Sequence, residues 1–157
     1  MSILSPHDFA SKLTGKTRYI HDMNLPGQLI GGVFRSPHPH ARITRIDVSR
    51  AKRVEGVVAV LTGEDVPHYE YGPTKYKDWN ILAKDRVLFV GDEIVAVAAE
   101  SKEALHEALK LIEVDFEILP AVFDPEASLS DAAPVIHPGV ERNRPMHVKL
   151  ERGDVAK

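Results

Sequence analysis

The alternation of hydrophobic and polar positions is sharpest between residues 93 and 119. Residues 94–99, "IVAVAA", run without a polar break, as in a strand covered on both faces. In "SKEALHEALKLIEV" the apolar residues Ala104, Leu105, Ala108, Leu109 and Ile112 recur at steps of three and four. That spacing lines one face of a helix. Ser101 supplies an N-cap and Glu103 an acid in the first turn. "VDFEILP" then alternates Val114, Phe116 and Ile118 with Asp115 and Glu117, a half-buried strand ended by Pro120. The pattern predicts strand–helix–strand over 93–119, with the main helix at 102–112.

Weaker patterns flank this unit. "QLIGGVFRS" reads as a strand with a bend or a close backbone approach at Gly31-Gly32. "ARITRIDVS" places Ile43 and, after a short phase slip, Ile46 and Val48 between polar residues, a second strand. "VVAVLTG" is a short apolar run bounded by glycines, a buried strand. "RVLFVGDEIVAVAAE" reads as strand, Gly91-Asp92 turn, strand, which would form a hairpin. Short helices are expected from Ser5-Pro6 to about Leu13, between an N-cap at Ser49 and a stop at Gly56, and after Asp124-Pro125. Residues 1–27 form a polar leading segment, 28–135 the core, and 136–157 a polar tail or linker. The expected fold is α+β, with a mixed sheet of about five or six strands and two main helices.

Composition narrows the function classes. The 157 residues suffice for one domain with a real core, and a net charge of −3 gives no electrostatic case for nucleic acid or an anionic membrane. A local basic cluster at Arg42, Arg45, Arg50, Lys52 and Arg53 is interrupted by acids and apolar positions, which reads as a solvated face. No apolar stretch approaches the roughly 18 residues of a membrane span. "MSILSPHDF" lacks the basic start and apolar run of a signal peptide, so the cytoplasm is the expected location. With no cysteine, disulfides, iron–sulfur ligation, thiolate zinc sites and a Cys nucleophile are excluded within this chain.

Two stretches carry candidate chemistry. In "FRSPHPHARI", His38 and His40 stand one residue apart. In extended backbone such a pair points to one face and could share a metal. No third ligand lies at usable spacing, and Pro37 and Pro39 stiffen the segment, so a structural turn is the stronger reading. Asp92/Glu93 and Asp115/Glu117 are acids on turns and strand faces, where solvent is the ordinary environment. His137 and His147 lie in the polar tail. No nucleophile motif, P-loop or dinucleotide fingerprint is present, so no catalytic, cofactor-binding or metal residue is assigned. Residues 68–82, "HYEYGPTKYKDWNIL", hold Tyr69, Tyr71, Tyr76 and Trp79, the only tryptophan. Such a long aromatic loop could stack on a planar ligand or anchor an interface.

In order, "GKTRYIHD", "LIGGVFRSPHPHARITRIDVSRAKRVEGVVAVLTGEDVP", "LAKDRVLFVGDEIVAVAAESKEALHEALKLIEVDFEILPAVFDPEASL" and "GDVAK" resemble the N-terminal α/β hammerhead domain of the molybdopterin-binding large subunit in the xanthine dehydrogenase/aldehyde oxidase family. The resemblance runs from about Gly15 to Val155. It implies an α/β hammerhead and a subunit several times longer than this chain. It also implies an oxidoreductase, a molybdenum hydroxylase acting on a heterocycle or an aldehyde. Molybdenum-pterin, iron–sulfur clusters and FAD are implied for the complete enzyme and none for this chain, since the family's cofactor and catalytic groups match no position here. The implied partners are the remaining domains of the molybdenum subunit and the iron–sulfur and flavin subunits. The expectation is an excised domain, a truncated product or a small separate subunit, serving as a non-catalytic scaffold. The loop before "LAKDRV" would approach the substrate funnel, which singles out Tyr76 and Trp79. The alternative is an independent small-ligand-binding or adaptor domain using the 68–82 loop.

Overall fold

In the computed structural model, residues 6–67, 72, 79–144 and 146–153 are described, without the side chains of residues 6–8 and 21. The elements are α1 (Pro6–Leu13), β1 (Ile30–Arg35), β2 (Ala41–Asp47), β3 (Val57–Thr62), β4 (Arg86–Val87), β5 (Glu93–Ala99), α2 (Lys102–Lys110), β6 (Glu113–Ile118) and α3 (Pro125–Ser128). The strands form two three-stranded sheets, β1-β5-β3 and β4-β2-β6, with antiparallel pairing throughout.

β5 is the centre of the first sheet because its unbroken apolar run can be covered on both faces. Ile94, Val95 and Ala99 are fully buried. The register sets Gly32 and Val60 opposite Val97, and Phe34 and Thr62 opposite Val95. These rows face α2, because a Cβ on Gly32 would lie 3.0 Å from both Leu105 methyls. The helix meets the sheet with Ala104, Leu105 and Ala108 buried, and Ile112, just past its end, is buried too. Ser101 caps its N-terminus, its Oγ accepting from the Ala104 amide at 3.1 Å. Ser101→Ala is expected to lower stability by about 1 kcal/mol. Urea unfolding checks this, and Ser101→Asp should keep most of the cap.

The second sheet divides its two faces by polarity. Ile43/Phe116 and Ile46/Val114 pack against the core. A bulge between Ile43 and Arg45 is the physical form of the phase slip in the sequence. The other face is a lattice of ion pairs: Arg42–Glu117 at 3.3 Å, Arg45–Asp47 at 2.9 Å, Arg45–Asp115 at 3.2 Å and Arg50–Glu113 at 3.1 Å. Of the basic cluster read as a solvated face, Arg42, Arg45 and Arg50 are therefore matched by acids of β6. The pKa of the Asp47 carboxyl is lowered to about 2 by the Ser49 amide first, then the Ser49 side chain and Arg45.

Several expectations need correction. The strands split between two sheets rather than joining one mixed sheet. β4 and β5 do not form a hairpin, because they belong to different sheets. The turn between them is real, with Gly91 at φ +96, but its backbone groups bind Ser36: the Gly91 amide donates to Ser36 O at 2.8 Å, and the Ser36 amide to Asp92 O at 2.9 Å. Ser49 does not cap a helix. Its amide donates to Asp47 Oδ1 at 2.9 Å, and only one 3₁₀ turn, Ala51–Arg53, follows. The main helix ends at Lys110, with Leu111 as its C-cap. Among the described residues, no helix is long and apolar enough to cross a membrane.

Candidate functional site

The Ser36–His40 turn joins β1 to β2 and anchors its surroundings through several hydrogen bonds. Ser36 is buried, and its Oγ accepts from the His38 amide at 3.0 Å and donates to His38 O at 2.9 Å. The two imidazoles take different partners. His38 meets Phe116 edge to face, with ring centroids 4.9 Å apart. His40 is buried, and its Nδ1 pairs with Pro120 O at 2.6 Å. The Leu119 amide donates to His40 O at 3.0 Å, so the turn also anchors the chain leaving β6. Among the described residues, no group of three or more His, Asp or Glu side chains could hold a metal.

Through its backbone bonds to Gly91 and Asp92, Ser36 also supports one wall of a cleft of about 330 Å³ lined by Trp79, Asn80, Leu88, Phe89, Asp92, Glu93 and His137. The Gly91–Asp92 turn that Ser36 binds carries the cleft's two acids. Asp92 Oδ2 accepts from the Leu88 amide at 2.9 Å. Burial pushes the Asp92 carboxyl above its usual range; the Leu88 amide opposes this, the Glu93 charge adds to it, and His137 opposes it weakly. Glu93 pairs with Arg35 at 2.8 Å, and Arg35 Nη1 also donates to Gly91 O at 2.7 Å. Trp79 and Phe89 are each about half exposed, at 50% and 54%. His137 arrives from the C-terminal segment, which Asn143 ties down: its Oδ1 accepts from the Ile136 amide at 2.8 Å, and its Nδ2 donates to Pro134 O at 2.9 Å.

This arrangement offers aromatic faces and hydrogen-bond acceptors. It suits stacking on a planar molecule and, among the described residues, contains no nucleophile paired with a base. Of the aromatic loop, Trp79 lines the cleft, whereas Tyr69, Tyr71 and Tyr76 lie outside the described residues. Phe89 and His137 also line the cleft; the sequence does not single out Phe89, and it places His137 only in the polar tail. The turn at Gly91-Asp92 is the one local signal for Phe89. Nothing local links His137 to residues more than forty positions earlier.

A family model described as "Aldehyde oxidase and xanthine dehydrogenase, a/b hammerhead domain" matches residues 14–120. The chain belongs to this hammerhead family. The match contains both sheets, α2 and most of the cleft wall; His137 lies beyond it. The hammerhead chain is 41% identical over 130 residues to a probable xanthine dehydrogenase subunit of Bacillus subtilis, covering 83% of this chain and 17% of that protein. It is 36% identical over 148 residues to the "Nicotinate dehydrogenase large molybdopterin subunit" of Eubacterium barkeri, covering 94% of this chain and 34% of that protein. Among solved structures it resembles the Cu,Mo-CO dehydrogenase, with 40% identity and a TM-score of 0.74 over 81% of this chain and 16% of that one. The hammerhead chain thus spans between about one-sixth and one-third of the length of these relatives.

Proposed function

We propose that the chain is the non-catalytic scaffold and substrate-funnel domain of a molybdenum hydroxylase acting on a heterocycle or an aldehyde. The observation that carries this reading is the hammerhead match over residues 14–120, shared with relatives named for xanthine and nicotinate dehydrogenation. In the complete enzyme, molybdenum-pterin would supply the oxidation that inserts oxygen derived from water, and iron–sulfur and flavin partners would take the electrons.

The described donors of this chain do not fit an iron–sulfur cluster or the phosphate of a pterin. It has no thiolate for an iron–sulfur cluster. Its cleft is bordered by Asp92 and by Glu93, which Arg35 already pairs, and among the described residues no lysine or arginine lines it to bind the phosphate of a pterin cofactor. The cofactors therefore belong to other parts of the enzyme. This chain contributes shape, with Ser36 holding the turn and Trp79 and Phe89 forming walls that a planar substrate can pass.

Two measurements test the reading. The purified chain is expected to contain no molybdenum, while its assembly with a molybdopterin-binding portion contains it stoichiometrically. Molybdenum in the chain alone would overturn the division of labour. In the assembled enzyme, Trp79→Ala is expected to raise KM for a planar substrate about 3- to 10-fold, the worth of one aromatic contact, with unchanged molybdenum content. An unaltered KM would remove Trp79 from the substrate route. A chain that purifies with no such portion, yet binds planar ligands with quenching of Trp79 fluorescence, would favour an independent binding domain instead.

A further inference from the structure

Beyond β6 the chain changes the way it is held. Two contacts tie its exit from the sheet: the Leu119 amide donates to His40 O at 3.0 Å, and His40 Nδ1 pairs with Pro120 O at 2.6 Å. Ala121, Val122 and Phe123 then make no backbone hydrogen bond among the described residues. From 124 to 144, again among the described residues, every backbone hydrogen bond closes within the stretch itself. Its side chains brace it internally as well. Asp124 Oδ1 accepts from the Ala127 amide at 2.8 Å, and Arg142 pairs with Asp131 at 2.8 Å. Asn143 accepts from the Ile136 amide and donates to Pro134 O and Ser128 O. Arg142 and Asn143 stand side by side in left-handed backbone, at φ +51 and +52, which is costly for an arginine. The ion pair and the Asn143 bonds hold that bend.

The braced stretch meets the body of the domain at its apex. His137 lines the Trp79–Phe89 cleft, and Pro138 lines a second cleft of about 340 Å³. Asn80 and Leu88 line both clefts, so the apex lies across the ridge between them. Val140 is buried, at 7% exposure, yet it stands outside the core cluster of the sheets and α2. A unit held by few buried apolar contacts, sharing no backbone bonds with the core, opens far more readily than the core unfolds. The family match ends at residue 120, where this change of attachment begins.

We infer that residues 124–144 are a flap that gates the Trp79–Phe89 cleft, hinging at residues 121–123, with Val140 as its catch and Asn143 as the residue that keeps its shape. The inference rests on the proposed function for what the cleft admits, a planar molecule, and adds how entry is regulated. Closed, the flap sets His137 in the cleft; open, it uncovers the ridge at Leu88.

The absence of cysteine from this chain makes single thiols clean reporters. Leu88→Cys places one on the half-buried ridge, and Val95→Cys places one in the fully buried centre of the core. Maleimide labelling at 88 reads flap opening, and labelling at 95 reads global unfolding. Val140→Ala removes the catch. Asn143→Gly removes the side-chain bonds while accepting the left-handed backbone. Each is expected to speed labelling at 88 at least about 10-fold and to leave labelling at 95 within about 2-fold. An unchanged rate at 88 would overturn the flap. So would an equal rise at both positions, or loss of cooperative urea unfolding in Val140→Ala, since either result would make the stretch part of the core. The KM of Trp79→Ala in the assembled enzyme distinguishes this inference from the reading beneath it. An unaltered KM with the expected labelling removes the substrate route and keeps the flap. A raised KM with no change at 88 removes only the flap.

Discussion

Leu105→Asp is expected to destabilise the chain by at least about 4 kcal/mol and to abolish cooperative unfolding near room temperature. Leu105 is 6% exposed and belongs to the single cluster that joins α2 to β5. Removing its branched side chain alone costs about 2–5 kcal/mol. The carboxylate adds the penalty of placing a charge in the apolar cluster that also holds Val97, Val60 and Phe34. Since a typical domain has about 5–15 kcal/mol in total, most of the margin disappears. Circular dichroism against temperature and urea measures the effect. Glu107→Ala, on the exposed side of the same helix, should stay within about 0.5 kcal/mol. Full thermal stability in Leu105→Asp would show that the helix presents a different face.

That prediction can be made from the sequence alone, and the reason is local. The stripe from Ala104 to Ile112, the Ser101 cap and the apolar run of β5 are all set by neighbours within a few residues. The phase slip at Ile43–Ile46 is visible as a break in alternation and corresponds to a bulge. The sheet partition is not legible, because strand pairing is decided by contacts far apart in sequence. β5 pairs with strands some sixty and forty residues earlier, and β2 with one seventy residues later. The Gly91-Asp92 turn looks like a hairpin because hairpins are the commonest use of such a dipeptide. Here its amide and carbonyl groups bind Ser36, and the strands on either side enter different sheets.

The cleft is legible in part for the same reason. Trp79 stands out by type, and Asp92 and Glu93 by their turn. Their meeting with His137 depends on Asn143 holding the C-terminal segment, a contact no spacing rule encodes. The Ser36–His40 stretch shows the converse. Its prolines announce a stiff turn, but not that Ser36 would anchor the cleft's acidic turn or that His40 would reach Pro120.

Gly32→Val is the second large effect expected, and it reads out the register of the first sheet against α2. Gly32 has no left-handed backbone to preserve, so space alone decides the outcome. A Cβ there lies 3.0 Å from Leu105 Cδ1 and Cδ2 and 3.2 Å from Cγ. Valine adds two further methyl groups beyond that point, and Leu105 is too well buried to swing aside. Overpacking of this kind costs about 1–3 kcal/mol, and the upper end is expected because the clash falls at the middle of the helix–sheet contact. Gly31→Val is the control, since nothing lies within 4 Å of its Cβ on the opposite face. In the isolated chain it should be neutral or slightly stabilising, as a glycine leaves a strand interior. The pair Gly32→Val with Leu105→Ala sharpens the test. Each change alone destabilises, one by crowding and the other by a cavity, and together the new side chain fills the space the old one left. A double-mutant cycle on urea midpoints should give a favourable coupling of at least about 1 kcal/mol. Strict additivity, or a Gly32→Val variant as stable as Gly31→Val, would mean that Gly32 and Leu105 do not face each other and that the packing of α2 on β1 and β5 is misplaced.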